Sequence, residues 1–280
     1  MSEGDIGSRY ELMLNLLPEA DAIALRWFRA SDLRADAKKD DSPVTQADRN
    51  IEAMLRRRIE AAFPGDSILG EEQGETAGTT GYRWIIDPID GTRSFARGIP
   101  TFGTLIAIEA DGEPKAGGAS FAALGETIHA AEGRGCWWKG REGRPERAGV
   151  SSTLRMSEAL VESVAPDAYH AEGLWGVYEA LSRAAMRLRG WNDAYAFTCV
   201  ATGRVDASID LTLKPWDIAP FLPIIEEAGG KVSDWTGRRS HLAPRIIASN
   251  GHLHRAMLDL VGGHGAGDAR ASIAREPDRT

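Results

Sequence analysis

Apolar residues recur along the chain in two rhythms, and the alternation between them predicts the elements. Leu12, Leu16, Leu17 and Ile23 return on one face of a helix over residues 8–30. A second helix is expected from about Thr45 to Ala62, where Ile51, Met54, Leu55 and Ile59 repeat at helical spacing and Pro64-Gly65 stops the run. Short strands follow at 67–70 and 83–87. The β-like runs TFGTLIAIEA, KAGGASFAAL, TIHAAEG and GCWWKG then read as an antiparallel meander. From about residue 155 strands and helices alternate: LVESV, a helix near 171–185, MRLRG, a helix from about 193, DASIDL, a helix from Pro215, GKVSDW, RIIASN and a last helix near 252–261. Pro215 suits the first turn of its helix, where a missing N–H costs nothing. The pattern is that of a layered α/β fold with two sheets. Residues 1–263 are expected to form one catalytic unit, with a helix pair and antiparallel sheet in 1–150 and a mixed α/β half in 151–263. Residues 264–280, rich in Gly, Ala and charge, read as a flexible tail.

Composition narrows the function. A net charge of −8 and a pI near 5.4 argue against a nucleic-acid or anionic-membrane binder and leave room for cations. Cys136 and Cys199 are the only cysteines and form no C-x-x-C pair. With no basic leader at the N-terminus and no apolar run near 18 residues, a cytoplasmic location with no membrane partner is expected.

The candidate chemistry lies in WIIDPIDGT, residues 84–92. Asp87 is expected to end a buried strand, Pro88 removes a ladder donor, and Asp90 precedes a short helix whose first turn is Gly91, Thr92 and Arg93. The free N–H groups of such a turn make a phosphate-sized anion site. Two carboxylates beside it make sense when divalent cations lie between them. Three further acidic positions complete a shell: Glu71 of GEE after a strand, Asp48 beside Thr45 at a helix start, and Asp217 in the first turn after KP. Taken singly, Asp48 and Asp217 also read as helix caps and Glu71-Glu72 as a solvated turn. Oxygen-only ligands point to Mg²⁺ or Mn²⁺ rather than zinc.

GEE, WIIDPIDGT and PWDIAPFLPIIEEAGG, in this order and at these separations, resemble the inositol monophosphatase superfamily to about residue 262. The resemblance implies a five-layer αβαβα fold, lithium-sensitive Mg²⁺-dependent phosphomonoester hydrolysis with two or three ions, and a homodimer. It implies that Glu71, Asp87 and the Ile89 carbonyl hold one metal, and that Asp87 bridges to a second held by Asp90 and Asp217. It also places a weaker third ion near Glu71. Asp48 and Thr92, with Glu71, would be catalytic: Thr92 paired with Asp48 orients a metal-bound water that attacks directly, and the Gly91 and Thr92 amides hold the phosphate. Lys38, or its neighbour Lys39, resembles the lysine of the family's mobile metal-site loop; a solvated charge run is the alternative.

Within the superfamily, Arg93-Ser94-Phe95, Phe102-Gly103-Thr104-Leu105, GWNDAYAF (190–197) and KPWD look like the histidinol-phosphatase branch. Trp191-Asn192 depart from that branch's Gly-Gly-Asp. Histidinol phosphate carries an ammonium, for which Asp193 is the first candidate acceptor and Asp210 the second; Asp193 otherwise caps the helix that follows it. The expected reaction is L-histidinol phosphate plus water to L-histidinol and phosphate, a step of histidine biosynthesis. The alternative is an inositol-1-monophosphatase or a related sugar or nucleotide phosphate phosphatase. A catalytically idle relative acting on RNA polymerase or the ribosome would have lost metal ligands or gained a basic face. All five acidic positions are present here.

Overall fold

A computed structural model of the chain describes residues 4–30, 35–37, 43–191 and 193–264. The first helix, α1 (Gly4–Trp27), is followed by the small ribbon of β1 (Ala35–Ala37) and β2 (Pro43–Thr45) and then by α2 (Gln46–Ala62). Next come β3 (Ser67–Gly70), β4 (Gly74–Thr76), β5 (Tyr82–Asp90), α3 (Thr92–Ala96), β6 (Gly103–Ala110), β7 (Glu113–Phe121), β8 (Glu126–Ala131), β9 (Gly135–Lys139) and β10 (Glu146–Arg147). The second half runs β11 (Leu160–Ser163), α4 (Pro166–Ala171), α5 (Trp175–Ala184), β12 (Arg187–Arg189), α6 (Tyr195–Ala201), β13 (Ala207–Asp210), α7 (Pro215–Ile218), α8 (Phe221–Glu227), β14 (Lys231–Asp234), β15 (Ile246–Ser249) and α9 (His254–His264).

Two main sheets result. The larger has the order β10-β9-β8-β7-β6-β5-β3-β4, antiparallel throughout except for the β3/β5 pair; the smaller has the order β12-β11-β13-β15-β14. α1 and α2 cover one face of the large sheet through Met13, Leu16, Leu17, Ile51 and Leu55 against Trp84, Ile86 and Ile106. α6 and α8 fill the layer between the sheets, where Phe197, Phe221 and Ile224 meet Leu105, Ile128 and Ala248. α4, α5 and α9 cover the outer face of the small sheet around Val161, Val177, Ile209, Ile247 and Met257. The order of layers is αβαβα, as the resemblance implied.

Glycines and one ion pair let the layers meet. At Gly117 of β7 a Cβ would come within 2.0 Å of the Pro220 carbonyl oxygen, and at Gly118 within 3.0 Å of Leu17 and Met13. Neighbouring residues of a strand face opposite sides, so this pair admits one helical layer on each face. Arg9, between the rings of Phe63 and Tyr82, donates from Nε and Nη2 to Asp66 at 2.7 Å each. Asp66 also accepts from Thr80 Oγ1 and Trp84 Nε1, so this buried carboxylate is fully engaged.

Three local expectations change. The strand carrying Asp87 does not end there: β5 continues through Pro88 to Asp90, with its register against β6 shifted between Asp87↔Leu105 and Asp90↔Gly103. Thr104 Oγ1 donates to the Pro88 carbonyl at 2.8 Å, holding the irregular segment to its neighbour. The helix expected near 171–185 is α5, which starts at Trp175, and a further short helix, α4, precedes it, the two separated by a turn with Gly173 at φ +68°. The helix from Pro215 divides at Pro220 into α7 and α8. α9 ends at His264, the first residue assigned to the tail by sequence; 265–280 lie outside the described residues.

Candidate active site

The site gathers at ends of elements from both halves. Glu71 follows β3, in a turn built from the other side of the sheet: the buried Glu52 of α2 accepts from the Glu72 amide at 2.8 Å and the Gln73 amide at 3.0 Å. Gly70 is required there, because a Cβ would lie 2.3 Å from Glu52 Oε1. The β5 irregularity presents Asp87, the Ile89 carbonyl and Asp90. Gly91, at φ +74°, turns the chain into α3. Asp217 stands at the third position of α7, where its Oδ2 accepts from the Lys214 amide at 2.7 Å. Asp48 stands at the same position of α2 and accepts from the amide and hydroxyl of Thr45. The helix-cap readings of Asp48 and Asp217 are therefore correct, and each carboxylate has a second oxygen left for the site.

Asp87, Asp90 and Asp217 each offer a carboxylate oxygen, and these oxygens lie within 4.8 Å of one another. With Glu71, Ile89, Gly91, Thr92, Asp193 and Asp210 they line a cavity of about 330 Å³. Asp87 Oδ1 is buried and has no hydrogen-bond partner. Burial pushes the Asp87 carboxyl well above its usual range, helped by the charges of Glu71, Asp90 and Asp217. Burial and the charges of Asp193 and Asp217 do the same to Asp90. Burial is also the main cause that raises Asp217 to about 7 and Asp210 to about 6. Like charges this close disfavour one another unless cations intervene. The orphaned oxygen and the oxygen-only donor set fit a hard divalent cation.

Beside the carboxylates, Thr92 Oγ1 lies 2.9 Å from the Ile89 carbonyl oxygen and 3.3 Å from Asp48 Oδ1. Its single proton serves one of these acceptors at a time. Asp193 adopts φ +58°, a left-handed conformation that costs most non-glycine residues about 1 kcal/mol and that Asp tolerates better than most. Its Oδ2 accepts from Ser94 Oγ at 3.2 Å, and a Cβ on Gly91 would come within 2.9 Å of it. The side chain does not cap α6, whose start has no side-chain cap. Asp210 Oδ1 accepts from the amides of Leu211 and Thr212. Lys38 and Lys39 lie outside the described residues.

Sequence reasoning missed Ser94 as a partner of Asp193 and missed the far wall of Val164, Ala165, Ala168, Thr212 and Leu213. The available signal was position: 164–165 and 212–213 follow strand ends, where α/β sheets collect ligands. A larger cavity of about 550 Å³ adjoins this one across Thr212 and Leu213. Its carboxylates are otherwise engaged, Glu172 by Arg245 and Asp234 by its own turn, so the chemistry belongs to the smaller cavity.

The layered fold and the oxygen-lined acidic pocket beside a helix start define a site for phosphate chemistry, and comparison with known proteins agrees. Residues 15–265 match the inositol monophosphatase family. A histidinol-phosphatase of Chlorobaculum parvum is 37% identical over 257 residues, covering 90% of this chain and 96% of that protein. An inositol-1-monophosphatase of Mesorhizobium japonicum is 32% identical over 259 residues, covering 89% and 96%. Among solved structures, an IMPase of Thermotoga maritima superposes with a TM-score of 0.80 at 30% identity, covering 92% of this chain and 98% of that one. The extragenic suppressor protein SuhB of Bartonella henselae superposes with a TM-score of 0.83 at 27% identity, covering 91% and 98%. The chain belongs to the inositol monophosphatase family, and as such it is a phosphoric monoester hydrolase.

Proposed function

We propose that the protein is a Mg²⁺-dependent histidinol-phosphatase. The observation that carries the reading is the cavity in which three carboxylates converge and a fourth, Asp193, is held by Ser94. Relatives at 35–37% identity bear that activity in their names. Glu71, Asp87, the Ile89 carbonyl, Asp90 and Asp217 would hold two ions, with Asp87 shared, and a third would sit near Glu71. Mn²⁺ would serve in place of Mg²⁺. When bound, such ions supply Lewis acidity that offsets phosphate charge and lowers the pKa of water.

The chain's own groups do the rest. The Gly91 and Thr92 amides receive the phosphate at the α3 start. Asp48, anchored by Thr45, accepts a hydrogen bond from the Thr92 hydroxyl at Oδ1 whenever the Ile89 carbonyl is engaged elsewhere. That leaves the Thr92 lone pairs to accept from, and so orient, the attacking water. Asp193 pairs with the substrate ammonium, and Asp210 is the second carboxylate for the alcohol portion. Water attacks phosphorus directly, the alcohol leaves, and no covalent enzyme intermediate forms.

The second reading is an inositol-1-monophosphatase, favoured by Asp210 in the wall and by relatives of that name. On either reading the molecule is one catalytic unit over 1–263. Lithium sensitivity and a homodimer follow from the family resemblance, and a cytoplasmic location from the two free, buried cysteines. No described helix is long and apolar enough to cross a membrane.

The test is phosphate release from histidinol phosphate and inositol 1-phosphate before chelation, after chelation, and after Mg²⁺ or Mn²⁺ is restored. Activity should vanish and return, with histidinol phosphate preferred. Full activity in excess chelator would refute the metal requirement, and a preference for inositol 1-phosphate would select the second reading.

A further inference from the structure

Glu162 is a carboxylate in an unexpected place. It lies on β11, 2% exposed, on the same rung as Ser208 of β13 and Arg189 of β12. Its neighbours Val161 and Ile209 point into the outer core, so strand alternation turns Glu162 and Ser208 toward the inner layer and α6. It does not line the catalytic cavity. Ser208 Oγ donates to Glu162 Oε2 at 2.8 Å, and the Trp191 amide donates to Oε1 at 3.2 Å.

The second bond matters because of where Trp191 stands. Two residues later comes Asp193, at φ +58°, with its carboxylate against Ser94 and Gly91. The following amide, of Ala194, donates to Asp90 Oδ2 at 2.8 Å. The turn into α6 is thus tied on one side to a carboxylate of the small sheet and on the other to one of the large sheet. Aspartate tolerates the left-handed conformation at a modest cost, and bonds on both sides of it help to hold it there. Asp90 belongs to the acidic cluster, whereas Glu162 is neither one of its three converging carboxylates nor part of the cavity lining.

We propose that Glu162 is a positioning residue for substrate selection: through the Trp191 amide it holds Asp193 where a substrate ammonium is received. The proposal rests on the reading of Asp193 given above. Glu162→Met keeps length and bulk but removes both acceptors, leaving the Trp191 amide without its partner. Glu162→Gln retains one carbonyl acceptor for that amide, while its NH₂ can donate to the Ser208 hydroxyl.

The measurement is kcat and KM on L-histidinol phosphate and on p-nitrophenyl phosphate, which has no amine. Glu162→Met should lose on the order of tenfold in kcat/KM on histidinol phosphate, mainly through KM, and stay within about twofold on the aryl ester. Glu162→Gln should stay within about twofold of wild type on both. Parallel losses on both esters, no loss on either, or a Gln variant no better than Met would overturn the proposal. If Glu162→Met does not fold, Ser208→Ala carries the test: it removes the hydroxyl that donates to Oε2 and should raise KM for histidinol phosphate alone, and a change shared by both esters, or none, overturns the proposal. A wild-type enzyme inactive on histidinol phosphate removes the substrate reading and this inference with it. A wild-type preference combined with a flat Glu162→Met profile removes only the inference.

Discussion

Replacing Asp193 with Asn removes a charge and changes little else, which makes it the sharpest probe of substrate choice. Asn is among the few residues at ease in the left-handed region, so φ +58° is kept. Its amide oxygen still accepts from Ser94, 3.2 Å away in the present structure. What is lost is the charge-assisted part of a contact with an ammonium, about 1.5–3 kcal/mol. That corresponds to a fall of about 10–150-fold in kcat/KM on histidinol phosphate. The lower end is expected, because Asp210 remains in the same wall as a second anion. Asp193 also raises the carboxyl of Asp90, so its neutralisation eases repulsion in the acidic cluster. That side effect touches every substrate alike and cancels in a ratio. The assay is therefore steady-state phosphate release on histidinol phosphate and on p-nitrophenyl phosphate at saturating Mg²⁺, for wild type and variant. Equal losses on the two esters would show that Asp193 supports the turn or the α6 start and does not read the amine.

Asp87→Asn should separate stability from activity: it relieves the crowding of Asp87 by Glu71, Asp90 and Asp217 and should raise the Tm of the metal-free protein. It should also cut turnover by more than tenfold, a loss of more than about 1.4 kcal/mol; a variant keeping a tenth of the rate would show that Asp87 is not the shared ligand. Asp21 of α1 tests pH linkage away from the site. Burial pushes its carboxyl up to about 6, only partly offset by the bond from Ser120, and its Oδ1 has no partner. A folded pKa above the unfolded value means that the charged form costs stability above about pH 6 and that the cost fades as pH falls toward 4. Asp21→Asn should thus be more stable than wild type by about 1–2 kcal/mol at pH 7.5. In urea unfolding the advantage should shrink toward zero near pH 4, and a difference independent of pH would refute it.

Local physics was legible in the residues themselves. Helix α2 begins at Gln46 with Thr45 as its cap because the Thr-x-x-Asp reciprocity spans only three residues. The same economy placed Pro215 and Asp217 in the first turn of α7. Six of the eight strands of the large sheet followed from runs bounded by Gly and Pro, the short edge strands β4 and β10 did not, and the three acidic motifs pointed to an oxygen-rich site. Tertiary structure decided what those motifs meet. Pro88 marked the end of a strand by the loss of one ladder donor, yet β5 runs on to Asp90, because Thr104 from the next strand holds the Pro88 carbonyl. Thr92 and Asp48, 44 positions apart, meet only because α2 and the β5–α3 corner pack on the same sheet. The cap for α6 that Asp193 offered as an alternative is not made, and its carboxylate reaches Ser94, 99 positions away. Glu162 carried no motif at all. Its part depends on a rung shared with Ser208 and on an amide 29 positions downstream, and no periodicity in a single chain encodes such a pairing across layers.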